Sequence, residues 1–158
     1  MGEYDDEFVA LYQRERVLLC RAVSATLGDA ALGAEAVDEA FARAYARWSE
    51  VRSYRRPAAW IYRVAINWAT SWHRKWSRRP TRPVEELDTP HEDVVADLDA
   101  LAQLRRLTLD QRRTLVLRYV LDLSVDEVAA VLDVSPGTVK SRCHRALARI
   151  TEATEVLG

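Results

Sequence analysis

The stretch "SVDEVAAVLDVSPGTVKSRCHRALARI", residues 124–150, holds two helix starts with one short break between them. Ser124 followed by Glu127 is a capping box, in which the hydroxyl accepts from one orphan N–H and the carboxylate from another. An apolar run through Val128, Ala129 and Leu132 follows, so the spacing predicts a helix from Ser124 to about Leu132. Asp133 falls where the chain must turn. Left-handed backbone is often needed there, and Asp tolerates it better than most residues with a side chain. Ser135 then caps a second helix, and Pro136 takes its first position, where a missing N–H costs nothing. Val128, Ala129 and Leu132 can meet Val139 and Cys143 on that helix, with Leu147 expected on the same inward side. Ala129 is small where two helix backbones must approach closely.

Two helices, a short turn and a basic second helix make a helix-turn-helix, whose second helix enters the major groove. With Val139, Cys143 and Leu147 inward, the outward side shows Pro136, Lys140, Ser141, His144 and Arg145. Lysine and arginine suit guanine edges, and serine suits several bases. Arg142 and Arg149 lie nearer the flanks, where phosphates run. A basic run alone would equally describe the solvated face of any helical hairpin. Here capping, turn spacing and a small crossing residue coincide, which favours DNA.

Working outward, Thr108-Leu-Asp-Gln111 is a second capping box opening another apolar-periodic run. In the first half, Phe8, Leu11, Tyr12, Leu19 and Val23 recur at helical spacing and predict a helix from about Glu3 to Leu27. "LGDAALG" (27–33) breaks it. A helix from about Ala34 to Trp48 follows, then a basic loop "SEVRSYRRP" (49–57), then a helix from Pro57 to about Trp76 or Arg79. No strand alternation and no repeat is visible. The fold class is therefore all-α, in two small helical domains, 1–79 and 101–158. They are joined by a flexible, Pro-rich acidic linker over 80–100.

The 158 residues carry a net charge of −1, and that average conceals segregation. Nine Lys/Arg and no acid lie between Val51 and Val84; seven acids and no base lie between Glu85 and Asp99. A basic block beside an acidic one suits partners of opposite sign better than the average does. Cys20 and Cys143 form no metal or disulfide spacing and are read as two buried thiols. Neither a signal run nor an apolar stretch near the ~20 residues of a membrane span occurs, so a soluble cytoplasmic protein is expected.

"RPAAWIYRVAINWATSWHRKWSRR" (56–79) interleaves Trp60, Trp68, Trp72 and Trp76 with Arg63, Arg74, Lys75, Arg78 and Arg79. Trp60, Ile61, Val64 and Trp68 read best as packing on the first helices. Trp72 and Trp76 stand among bases, where aromatics beside cations suit unstacked nucleotides as well as they suit packing. Asn67 can bond a base edge or a local backbone group.

With both halves read, the chain resembles an extracytoplasmic-function (ECF) sigma factor, the two-domain form of the bacterial sigma-70 family. "LRYVLDLSVDEVA" and "GTVKSRCHRAL" carry the likeness to region 4. "AVDEAFARAYARW" and "PAAWIYRVAINWATSWHRK" carry the likeness to region 2. The resemblance implies a non-catalytic specificity subunit that binds core RNA polymerase (the β and β′ subunits), selects promoter DNA and helps melt it. Region 4 would read the −35 duplex through Lys140, Ser141, His144 and Arg145, with Arg142 and Arg149 beside them. Region 2 would read the −10 element as a displaced strand. Its candidates are Arg52, Tyr54, Arg55 and Arg56 of the loop, then Arg63, Asn67, Trp68, Thr70, Ser71, Trp72, Arg74 and Lys75. The polymerase would dock around Glu35, Asp38, Glu39 and Arg43. An anti-sigma factor masking both domains is the family norm. No cofactor, metal or membrane insertion is implied, and a monomer outside the holoenzyme is expected, associating with the nucleoid once inside it. This chain has Asp38 where the family usually has Gln, Ser71 where it has Asp, Asp133 for the turn glycine and Cys143 for a leucine.

The rival reading is a stand-alone helix-turn-helix regulator, which accounts for residues 107–150 and leaves the tryptophan helix unused. A helical adaptor would not need two basic blocks. An enzyme is disfavoured, because His73, His91 and His144 are scattered and no nucleophile–base set or phosphate loop appears.

Overall fold

The computed structural model describes the backbone of residues 2–75, 100 and 102–157, and side chains over 2–71, 100 and 102–152. Helix α1 (Glu3–Leu27) opens on Glu3, Asp5 and Asp6, acids that complement its dipole, and closes at Gly28. Gly28 is left-handed (φ 70°) and its N–H reaches the Ser24 carbonyl at 2.8 Å. The expected break over 27–33 shrinks to Gly28 and Asp29. The Asp29 carboxylate accepts from the Leu32 N–H at 3.0 Å and so starts α2 at Ala30 (Ala30–Ala46), four residues ahead of the expected point. A single helical turn, α3 (Trp48–Val51), forms within the expected basic loop. Helix α4 (Pro57–Lys75) begins at the proline as expected.

These helices meet along lines of small residues. Ala22, Ala36, Ala40, Ala44, Ala65 and Ala69 are buried at the contacts, with Leu19, Val23, Val37, Ile61 and Ile66 filling between them. An edge-to-face aromatic cluster of Phe8, Tyr12, Phe41, Tyr45 and Trp48 ties α1 to α2. Tyr62 is fully buried. Its hydroxyl meets that of Thr26 at 2.7 Å, and Thr26 donates onward to the Ala22 carbonyl at 2.8 Å. Tyr62 is then the donor of the pair, and burial holds its phenol far above the ordinary range.

The second half starts at the Thr108 capping box, which is formed in both directions at 3.2 Å. Helix α5 (Leu109–Leu115) continues into a π-turn (Val116–Val120), a widening that no sequence signal announces. Leu121 and Leu123 lead to α6 (Val125–Leu132) and α7 (Pro136–Leu157). Among the described residues no strand occurs. Leu107, Leu115 and Ala146 form a small core of their own. Val116, Leu117, Leu121, Leu123, Val128 and Val139 belong to the same apolar cluster as the α1–α2–α4 core. The α5–α6 segment therefore packs on α1 and α4, and the two halves are in contact. The acidic segment and Trp76 lie outside the described residues.

Candidate nucleic-acid interface

The turn between α6 and α7 is built as its residues require. Ser124 Oγ accepts from the Glu127 N–H at 3.1 Å, while Glu127 Oε1 accepts from the Ser124 N–H at 3.0 Å. The hydrogen bond from the Ser124 backbone N–H to the carboxylate is the main reason the Glu127 acid lies below its ordinary range. Asp133 adopts φ 55°, ψ 49°, and its N–H caps onto the Ala129 carbonyl. Ser135 Oγ accepts from the Thr138 N–H at 3.1 Å, which starts α7 beneath Pro136.

Val139 and Ala146 are fully buried, with Cys143 and Ile150 packed beside them. Leu147, expected inward, is 43% exposed. At about 100° per residue, position 146 lies only about 20° from the direction of 139, whereas 147 lies about 80° away. The seated face is thus 139–143–146–150. Cys20 and Cys143 are half-buried free thiols, each raised above the ordinary range chiefly by burial.

This seating leaves Lys140, Ser141, His144, Arg145 and Arg149 exposed along one side of α7. Ser141 donates its hydroxyl proton back to the Thr138 carbonyl at 3.1 Å, so it offers acceptor lone pairs outward. Arg142 points the other way, half-buried, with Nη2 3.9 Å from Asp110 of α5. It braces α7 against α5. Arg118 likewise serves the fold, donating to the Leu123 carbonyl at 2.9 Å.

In the first half, three of the loop candidates, Arg52, Tyr54 and Arg56, are partnered within the protein. Arg52 donates to Glu7 at 2.6 Å and lies over the Tyr4 ring. Tyr54 donates to Glu50 at 2.6 Å, and Glu50 also takes Arg47 at 2.7 Å. These two hydrogen bonds, Tyr54 first, hold the Glu50 acid below its ordinary range. Arg56 donates to the Leu121 carbonyl at 3.0 Å and lies 3.7 Å from Glu127. Arg55, Arg63, Asn67 and Ser71 are exposed, and Thr70 bonds back to the Ile66 carbonyl at 2.8 Å. Trp60 and Trp68 are half-buried against the core, as expected. The side chains of Trp72, Arg74 and Lys75 lie outside the described residues.

On α2, Glu35, Asp38 and Arg43 are exposed and Glu39 is half-buried, with Arg43 donating to Glu39 at 3.2 Å and Arg16 to Asp38 at 3.5 Å. A cleft of about 230 Å³ runs between α2 and α4, lined by Arg43, Ala46, Arg47, Trp60 and Val64. Arg47, the C-cap of α2, joins the sequence-derived candidates at this cleft, and its spacing of four from Arg43 is the signal that points to it. Among the described residues, no group of His, Cys, Asp and Glu is placed to hold a metal, and no helix is long and apolar enough to cross a membrane.

Residues 98–150 match the family described as Sigma-70, region 4. Over the whole chain, an RNA polymerase sigma-E factor of Streptomyces antibioticus is 35% identical, covering 94% of this chain and 85% of that protein. The chain belongs to the ECF sigma factors of the sigma-70 family. An ECF RNA polymerase sigma factor SigM of Mycobacterium tuberculosis is 31% identical, covering 92% of this chain and 74% of that one. Because these matches include the tryptophan helix, they exclude a stand-alone helix-turn-helix regulator. This chain is an alternative sigma factor for promoter-specific transcription initiation. Two solved structures share the fold of this sigma factor. One is RpoE of Bartonella quintana in complex with the anti-sigma factor NepR (TM-score 0.67, 22% identity, 93% of this chain and 98% of that one). The other is CnrH in complex with the cytosolic domain of CnrY (TM-score 0.74, 21% identity, 96% and 90%).

Proposed function

We propose a residue-level division of labour for this sigma factor. Lys140, Ser141, His144 and Arg145 read the −35 duplex in the major groove, and Arg149 holds a phosphate. Arg55, Arg56, Arg63, Asn67, Trp68, Thr70 and Ser71 face the displaced −10 strand, together with Arg52, Tyr54, Trp72, Arg74 and Lys75. Glu35, Asp38, Glu39 and Arg43 dock on the β and β′ subunits of core RNA polymerase. The polymerase supplies nucleotidyl transfer, and this chain adds specificity without a catalytic group. It acts in the cytoplasm, as a monomer outside the holoenzyme. An anti-sigma factor is a partner by analogy with the two structural neighbours, each solved with one.

The observation that carries this reading is the exposed row on α7. Four groove-reading side chains stand on the side opposite Val139 and Ala146, with none of the four drawn into the core. Asp110 engages Arg142, so Arg142 supports the reading helix instead of holding a phosphate.

The test is co-purification of the full chain with bacterial core RNA polymerase, followed by run-off transcription on genomic fragments. Stoichiometric binding and discrete start sites are expected. Failure to bind core, with duplex DNA still shifted, would overturn the docking assignment.

A further inference from the structure

The basic loop that follows α3 is tied down from two sides. Trp48 and Val51 are buried and pin the α3 turn itself. Phe8 and Tyr4, from the first two turns of α1, meet the Trp48 ring edge-to-face at centroid distances of 5.4 Å and 6.4 Å. Arg52 follows Trp48 by four positions and caps α3, its N–H donating to the Trp48 carbonyl at 2.9 Å. Its guanidinium lies over the Tyr4 ring, 5.5 Å from the centroid, and donates to Glu7 at 2.6 Å. On the other side, Glu50 accepts from Arg47 and Tyr54, and the Tyr54 ring stands 6.3 Å from Trp60 of α4. Ser53 Oγ donates to the Glu50 carbonyl at 2.6 Å. Residues 50, 52, 53 and 54 are thereby fixed, and Arg55 stands exposed just beyond them.

To meet a phosphate, Arg52 would have to leave Glu7 and the Tyr4 ring together. The surroundings oppose that exchange. Glu7 follows Glu3, Asp5 and Asp6 of the first turn, so a phosphate backbone nearing Arg52 would approach the acidic start of α1. A planar guanidinium that bonds a carboxylate and stacks on an aromatic face is well suited to fixing geometry, and a lysine could not do both. A loop ordered before the strand arrives also carries less entropy cost at binding than one that must be ordered by it.

We propose that Glu7 and Tyr4 of α1 are positioning residues for −10 recognition, acting through Arg52 to set the loop that presents Arg55 to the displaced strand. This rests on the assignment of that loop to the −10 strand. It gives α1 a part in promoter choice without contact with DNA, and it makes Arg52 a strut of the loop whose charge is used inside the protein. The two roles open to Arg52 give opposite signs for one substitution. If Glu7 holds the loop, its loss weakens engagement of the strand. If Glu7 competed with phosphate for Arg52, its loss would strengthen that engagement.

The test uses the holoenzyme, with the full chain assembled on core RNA polymerase. Its template is the genomic fragment giving the strongest start site in run-off transcription, beside copies carrying single-base changes in the −10 element. Heparin-resistant open complexes are measured on each. Glu7→Gln should lower the open-complex equilibrium constant about two- to fivefold, the range a half-exposed ion pair commands. Arg52→Ala should lower it at least as far, and the double variant no further than Arg52→Ala alone, since the two residues act as one unit. In Glu7→Gln the preference for the parent −10 element over the changed copies should shrink. Tyr4→Phe keeps the ring and should match the parent, and core binding should be unchanged in every variant. Unchanged or tighter open complexes in Glu7→Gln overturn the proposal. So does an equal loss on every fragment, which a general loss of stability would give, or a double variant whose loss is the product of the two single losses. Arg55→Ala tests the underlying assignment separately. If it weakens opening and Glu7→Gln does not, the loop reads the strand and α1 has no part in it. If neither substitution changes opening, the loop assignment falls and the proposal falls with it.

Discussion

Gly33→Ala sets two effects of known sign against each other. Gly33 lies inside α2, where replacing glycine by alanine normally stabilises a helix by about 1 kcal/mol. Here the new methyl group would strike α1. Its nearest neighbours are the Ser24 hydroxyl, the Ser24 Cα at 2.9 Å and the Ser24 Cβ at 3.0 Å. A rotamer change can move the hydroxyl, but the Cα is backbone and can give only if the two helices separate. They are sealed on either side by Ala22, Val23, Ala36 and Val37, all at 0% exposure, so separation opens the core. Overpacking of this kind costs about 1–3 kcal/mol. A contact of 2.9 Å with a backbone atom takes the upper part of that range, about 2–3 kcal/mol, so the clash should win, for a net loss of roughly 1–2 kcal/mol, or about 2–8 °C in Tm for a chain of this size. Gly137→Ala is the control. It is exposed in the first turn of α7, and its nearest neighbour would be the Ser135 hydroxyl at 3.8 Å. That substitution should be neutral or stabilising. Thermal unfolding of both variants by circular dichroism decides the matter. A Gly33→Ala protein as stable as the parent would refute the close α1–α2 crossing that positions Glu35, Asp38 and Glu39.

Asp133, exposed at φ 55°, should respond to backbone preference alone: Asp133→Val should lose about 1–2 kcal/mol and Asp133→Gly should gain up to about 1 kcal/mol by denaturant unfolding. Equal effects would mean that the Asp side chain has a role of its own. Lys140→Ala with Arg145→Ala should weaken −35-dependent promoter binding at least roughly thirtyfold, at about 1–3 kcal/mol for each lost base contact, and leave core binding intact. Loss of core binding would refute the division between the faces. The Glu127 acid is depressed in the folded state, so its contribution is fully present above about pH 4.5 and is lost as the pH falls through the lower folded value. Acid titration of stability should therefore be shallower for Glu127→Gln below about pH 4.5, and an unchanged slope would count against the capping contact. Tyr62→Phe should cost about 1 kcal/mol, because Thr26 keeps its bond to the Ala22 carbonyl and no buried donor is orphaned. A loss above about 3 kcal/mol would show that the hydroxyl pair holds more than itself.

The local punctuation of this chain was legible from residue types, because caps and turns depend on atoms within a few positions. The capping boxes at Thr108 and Ser124, the left-handed turn at Asp133 and the proline starts at 57 and 136 all follow from that short-range chemistry. The helix at 30–33 is hidden in the sequence because an Asp cap on Ala-rich sequence resembles a glycine-bounded loop, and only the fold shows the Leu32 N–H bonded to Asp29. Side-chain direction was legible only to within one step of helical rotation, which is why Leu147 was expected where Ala146 is seated.

Partners far apart in sequence were decided by the tertiary structure. "LVLRYVLDL" is an apolar run whose periodicity does not say what it packs against, and its Val116, Leu117 and Leu121 enter the core shared with α1 and α4. A guanidinium reads the same in sequence whether it faces phosphate, carboxylate or carbonyl. Only the fold turns Arg142 to Asp110 and Arg56 to Glu127 and Leu121, while it leaves Lys140 and Arg145 to the solvent. Composition and spacing established a chain able to read DNA. The packing of helix on helix, within and between the halves, decided which of its cations are free to do so, because long charged side chains take whichever opposite charge the fold brings within reach.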